Sequence, residues 1–336
     1  KMPKTVLAKY NKIYEKYDAL ISPLLEPIVK AKAPSNKKQG DVQEVPKTEK
    51  AAFNEGVESV RKAAQEYKDK ITAKIKEKQK NYQPERGNTA QPKLFERVSK
   101  MIADAYQSIK NEPTKQEVKM AYDAFVSETK KQYEFIIKKG LKVIRHQEAG
   151  EPYSNSKEML QDIRENNTLR FLPNEVAFGQ GDVDVSDNIG LQPSGVKLED
   201  GYELTNSEMF RVVHDYFGHG ILGNQFGAIG EENATLQHLD LYSDVAAPAV
   251  IFQTRGQNSW VNFSGVNAEA NQLRKEAREL KKQGKLEEAN ILLEKAEKMF
   301  KFAEPKIAIF PKKFNFRRYE TARRISEQED INSRPN

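Results

Sequence analysis

The 336-residue chain contains no cysteine, which excludes disulfides, thiolate metal sites and thiol catalysis. A reducing compartment fits this, without being demonstrated by it. Long hydrophobic runs are also missing. The best, Val245–Phe252 (VAAPAVIF), is far too short to cross a bilayer, so no membrane span is expected. The first residues, KMPKTVLAKYNKIYEKY, lack the apolar core of a signal peptide. Histidine is scarce, with four in the whole chain, and there is a single tryptophan. Three of the four histidines nonetheless fall within thirty residues of one another, at 214, 219 and 238.

Charge is plentiful: 55 Lys and Arg against 49 Asp and Glu. It is unevenly spread. Val176–Ala270 carries three basic and thirteen acidic residues, which leaves the remainder strongly basic. The lysines there are interleaved with acids along helix faces, as on a solvated surface. A basic N-terminal region can contact nucleic-acid phosphates, although no binding-module signature accompanies it.

Apolar spacings of three and four predict a mainly α protein with a small β element. Helices are expected over residues 1–31, Ala51–Lys80, Leu94–Lys110 and Thr114–Lys139, with a polar linker at Lys32–Lys50. Short strands are expected at Leu141–His146 and Thr168–Pro173, flanking a helix capped by Ser154 or Ser156. The Gly- and Asp-rich stretch from residue 177 to 204 reads as one long loop. NAEANQLRKEARELKKQGKLEEANILLEKAEKMFKFAEPK (267–306) reads as a helical hairpin turning at Gly284. The expected organisation is a charged helical arm or bundle at 1–112, a core domain at 113–325 and a frayed tail at 326–336.

The chemistry concentrates in FRVVHDYFGHGILGNQFGAIGEENATLQHL, residues 210–239. Thr205 or Asn206 can cap the helix that carries it, with Glu208 completing a capping box from Thr205. His214 then lies within the helix, and His219 at its end, where Gly218 and Gly220 mark a break. Histidines four apart would share a helix face. These are five apart, about 140° round an ideal helix, and converge only if the last turn unwinds. Asp215, four before His219, can orient that ring or serve catalysis directly. On the following helix Glu231, Thr235 and His238 share a face. For a third ligand beside the two histidines Glu231 ranks first, Glu232 or His238 next and Gln253 last. Arg255, Gln257, Asn258 and Trp260 cluster beyond the apolar run, where they brace the core or meet a ligand. His146 stands apart and is assigned no role. A zinc hydrolase of the HExxH type is disfavoured, because neither that spacing nor its embedded glutamate is present.

HDYFGH resembles the H-[DE]-x-x-G-H segment of the pterin-dependent aromatic amino acid hydroxylases. That resemblance implies that His214 and His219 bind Fe(II), on a helical domain like the hydroxylase core. It places the third, carboxylate ligand on the helix APAVIFQTRG, where this chain carries Gln253. It implies a mononuclear non-haem centre whose protein ligands occupy one face of the coordination sphere. A second resemblance covers more of the chain, roughly Tyr122–Phe263. The segments AYDAFVSETKKQYEFI, EPYSNSKEM, FRVVHDYFGHG, FGAIGEENA and TRGQNSWVNF are similar to a family of tailed-phage proteins. It implies a phage protein, located in the virion or the host cytoplasm, with other virion proteins as partners. Two functions follow as expectations: a metal-dependent, hydroxylase-type enzyme, or a structural or cargo protein of the particle whose hydroxylase-like core is inactive.

Overall fold

The computed structural model describes residues 47–76, 92–148, 151–174, 187–220 and 223–315. The chain divides between Val45 and Pro46 into two compact units, and every described residue belongs to the second. The helix expected at residues 1–31, the linker up to residue 46, the part of the basic N-terminal region before residue 47 and the frayed tail lie outside the described residues; the last four residues of the expected linker, from Lys47, are helical.

Among the described residues the unit is mainly helical, with two small two-stranded sheets. Helices α1 (Lys47–Lys76), α2 (Pro92–Ser108) and α3 (Gln116–Lys138) come first. Strand β1 (Lys142–Arg145), helix α4 (Ser156–Asn166) and strand β2 (Thr168–Phe171) then form a parallel βαβ unit, with Lys142 opposite Thr168 and Arg145 opposite Phe171. The cap of α4 is Asn155, not either neighbouring serine. Its side chain accepts from the backbone N–H groups of Lys157 and Glu158, which a serine at 154 or 156 is out of register to do.

The second half of the expected long loop is ordered instead as an antiparallel hairpin. Strands β3 (Pro193–Lys197) and β4 (Glu203–Thr205) pair around a turn containing Gly201, with an irregularity near Gly195. A strand of sequence PSGVK shows almost no alternation of apolar residues, so its pairing is invisible to periodicity. Helix α5 (Asn206–Val213) starts on a full Thr205–Glu208 capping box, as expected. It runs into a π-helical turn, His214–His219. Helix α6 (Ala228–Leu239) follows. Next, α7 (Ala247–Ile251), a second π turn (Phe252–Gly256) and α8 (Gln257–Phe263) form one continuous rod. The helix therefore does not stop before Arg255. Finally α9 (Ala268–Lys282) and α10 (Leu286–Met299) make the expected hairpin, turning at Gly284 with φ of 77°.

One core joins these elements. Val60 of α1, Ile102 and Tyr106 of α2, and Tyr122, Phe125 and Ile136 of α3 pack with Leu169, Phe171, Met209, Val213, Phe217, Val250 and Phe252. Helices α1 and α2, expected in the charged arm, thus share the core that holds the histidines. The segment 303–314 crosses the same core. Its Phe310 ring lies 4.8 Å from that of Phe252, and Lys306 Nζ donates to the carbonyls of Ile109, just past the end of α2, and Tyr106, in its last turn, at 2.9 and 3.2 Å. Among the described residues no helix is long and apolar enough to cross a membrane.

Candidate metal centre

The problem posed by the five-residue spacing is solved by widening the helix rather than unwinding it. In an α-helix, residues five apart diverge. In a π turn the backbone pairs i with i+5, so those residues lie nearly one above the other. His214 and His219 bound such a turn, and their rings meet edge to face with centroids 5.3 Å apart. The widened turn packs on α6 because Gly218 has no side chain. A Cβ there would sit 3.1 Å from the Ala234 carbonyl oxygen and 3.2 Å from the His214 ring.

Helix α6 brings Glu231 to this pair. Its carboxylate lies 3.4 Å from His214 Nε2 and 3.3 Å from His219 Nε2. One ligand atom from each of the three residues falls within 4.8 Å of the others. Such a group can hold a metal ion. The histidines are buried, whereas the Glu231 side chain is 32% exposed, so the cluster reaches solvent on the glutamate side. There the exposed Phe226 stands edge-on to His219, 4.9 Å between centroids.

The hydrogen bonds behind the rings determine which nitrogens face the carboxylate. His219 Nδ1 lies 3.1 Å from the Asn224 carbonyl. A carbonyl only accepts, so Nδ1 carries the proton and Nε2 of the neutral ring is bare. His214 Nδ1 lies 3.1 Å from His238 Nδ1, and His238 Nε2 lies 2.8 Å from Gln132 Oε1. Two bare imidazole nitrogens and a carboxylate then converge with no donor between them. Only a cation resolves that arrangement, either a proton or a metal ion. Without metal the proton lands on His219. Burial pushes this imidazole down, but Glu231, with help from Asp215 and the Asn224 carbonyl, outweighs it and holds it up at about 9. Burial also works against ionised Glu231, yet His219 and His214 keep its carboxyl far below the usual range.

The remaining sequence candidates separate cleanly. His238 faces the back of His214 and not the ligand cluster; it is fully buried, and burial together with the two neighbouring imidazoles holds it well below the usual histidine range. Both nitrogens of the His219 ring face groups other than Asp215: Nδ1 the Asn224 carbonyl and Nε2 the Glu231 carboxylate. The orienting role expected of Asp215 belongs to Asn224, whose backbone N–H also donates to the His219 carbonyl at 2.8 Å. Burial raises the Asp215 carboxyl. Glu232 points the other way, into a fully buried pair with Arg255, whose Nε lies 2.9 Å from both carboxylate oxygens. Gln253 is committed elsewhere. Its Nε2 donates to the Tyr122 hydroxyl at 2.6 Å and the Lys306 carbonyl at 2.9 Å, and its Oε1 accepts from Gln257 at 2.6 Å. Asn258 donates to the Ala228 carbonyl at 3.0 Å, pinning the first turn of α6 one turn before Glu231. Trp260 Nε1 donates to Gln107 at 2.5 Å. Arg255, Gln257, Asn258 and Trp260 therefore brace the core. Sequence reasoning missed Asn224 and Gln132. Asn224 acts through its backbone carbonyl, which carries no residue-type signal. Gln132 lies 82 residues before His214 on another helix.

No protein-family model, curated protein or solved structure matches this chain.

Proposed function

We propose that the chain is a phage-encoded, virion-associated protein with a mononuclear non-haem Fe(II) site of hydroxylase type. The phage setting and the partnership with other virion proteins rest on the sequence resemblance over Tyr122–Phe263. The metal reading rests on one observation: two bare Nε2 atoms and the Glu231 carboxylate converge within 4.8 Å of one another. A two-histidine, one-carboxylate donor set suits ferrous iron. The third ligand is Glu231, supplied by α6, in place of the Gln253 position to which the hydroxylase comparison points.

His214 and His219 would hold the ion from the buried side, and Glu231 would offset one of its charges. The ion supplies electron-transfer chemistry with dioxygen that no side chain provides. The protein contributes rigidity and dryness. Each imidazole is locked by a hydrogen bond at Nδ1, Phe210 packs beside His214, 5.7 Å between centroids, and Phe217 packs against His238 behind it, at 6.3 Å. The open side at Glu231 is where a substrate would enter.

A second reading, an inactive building block of the particle, draws on the His219–Glu231 contact of 3.3 Å. That ion pair satisfies both groups without any metal. Elemental analysis of the purified, iron-reconstituted protein discriminates between the two. Stoichiometric iron that is lost in His214→Ala supports the metal site. Protein that takes up no iron, with a Tm unchanged by iron, zinc or cobalt, overturns it and leaves the building block.

A further inference from the structure

We propose that Gln132 and His238 are positioning residues that dictate which nitrogen His214 presents to the metal. The inference builds on the metal reading above. Its physical basis is that the relay has only one workable direction. Gln132 Oε1 can only accept, so His238 Nε2, 2.8 Å away, must donate. The Gln132 amide is held in that sense because its Nε2 points to the Leu241 carbonyl at 3.4 Å. A neutral His238 with its proton on Nε2 has a bare Nδ1. That atom lies 3.1 Å from His214 Nδ1, so His214 must donate from Nδ1. Its Nε2 is thereby left bare, facing Glu231.

The relay is built to stay in place. Gln132 and His238 are both fully buried. The His238 ring stacks on Phe210 with an interplanar angle of 9°, and Tyr242 meets it edge to face, 5.0 Å between centroids. Removing the acceptor at 132 would free His238 to carry its proton on Nδ1. His214 would then have to accept at Nδ1 and carry its own proton on Nε2, the tautomer whose Nε2 cannot bind a metal beside Glu231. A glutamine on α3 thus acts on the centre through two rings without touching it.

The test uses cobalt(II) as probe, on the full chain. Glutamate at 132 still offers an acceptor; methionine has similar volume and offers none. We expect Gln132→Glu to bind Co(II) much as the wild type does and with the same visible absorption bands. Gln132→Met should bind about 10–100-fold more weakly, the usual effect of removing a partner behind a ligand, with altered bands. Equal affinity and identical spectra in the two variants overturn the relay, while Co(II) binding by the wild type keeps the metal reading. A wild type that binds no Co(II) removes both. Should the variants fail to fold, nitrogen-15 NMR of metal-free wild-type imidazoles decides. Protons on His238 Nε2 and His214 Nδ1 are expected, and a proton on His214 Nε2 with Nδ1 bare overturns the proposal.

Discussion

Consecutive residues of an α-helix point about 100° apart, so the paired acids Glu231 and Glu232 serve different partners. Glu231 faces two histidines beside solvent; Glu232 is sealed against Arg255. Charge removal at the two positions should therefore read out differently. Glu232→Gln strands a buried guanidinium and should cost about 3–5 kcal/mol, seen as a large fall in the urea midpoint. Glu231→Gln should abolish metal uptake and lower the metal-free midpoint only below about pH 9, where the His219 pair that it removes is formed. The two variants behaving alike would contradict this division. The pH dependence belongs to the same residues. His219 faces Glu231 from α6, and Asp215 and His214 from its own turn. Although burial opposes its charge, these acids hold it up at about 9 against an ordinary 6.5. Its proton is thus bound more tightly in the folded state, which adds stability fully present below pH 6.5 and lost as pH rises through 9. A metal ion must displace that proton. With chelator present, the Tm should fall across this window; with metal, the ligand-induced rise in Tm should grow across it. Thermal scans at several pH values check both, and Glu231→Gln should flatten the first trend.

At the scale of elements, the site depends on a helix wide enough to bring residues five apart onto one face, and on two glycines that let neighbours approach it. At Gly220 a Cβ would lie 2.2 Å from the Tyr216 carbonyl oxygen and 2.5 Å from Val60 of α1. At Gly218 the intrusion is milder and is directed partly at the His214 ring. Gly218→Ala is expected to cost about 1–3 kcal/mol, as overpacking does, and to weaken metal binding by displacing that ring. Gly220→Ala should cost more in stability. Urea unfolding alongside metal titration checks the order. This element also shows where sequence reading stops. The capping box at Thr205, both short parallel strands and the hairpin at Gly284 follow from local rules that operate within a few residues. The π turns do not, because an apolar pattern sampled every three or four residues cannot register one widened turn. The break marked by two glycines was legible as a place where the histidines could meet, but not how. Glu231 was reachable from the shared face of α6. That shared face ranks it ahead of Glu232, but that the histidines occupy this side of α6, and that Glu232 is taken by Arg255, is tertiary information.

On the scale of the whole molecule, the question is how much chain the metal centre requires. Sequence reading places a boundary at residue 112, between the second and third of the charged helices that follow residue 46. The packing places it between Val45 and Pro46. The difference arises because charge density reports the solvent face of a helix, whereas membership of a core depends on the opposite stripe. Helix α1 contributes Val60 and Tyr67, the latter with its ring 5.9 Å from that of Phe217 in the segment that carries the histidines. Lys68 of α1 pairs with Asp240 at the end of α6. Helix α2 places Tyr106 against Phe252, 4.9 Å between centroids, and accepts the buried Lys306 near its C-terminal end. A chain cut at 113 would lose every one of these contacts and expose the back of the π turn. A chain of residues 46–336 should accordingly unfold in one cooperative step and bind metal as the full chain does. A chain of residues 113–336 should be insoluble or lack a cooperative transition. Circular dichroism melting and metal titration of the two truncations check this, and a cooperatively folding, metal-binding 113–336 fragment would show that α1 and α2 are dispensable to the core after all.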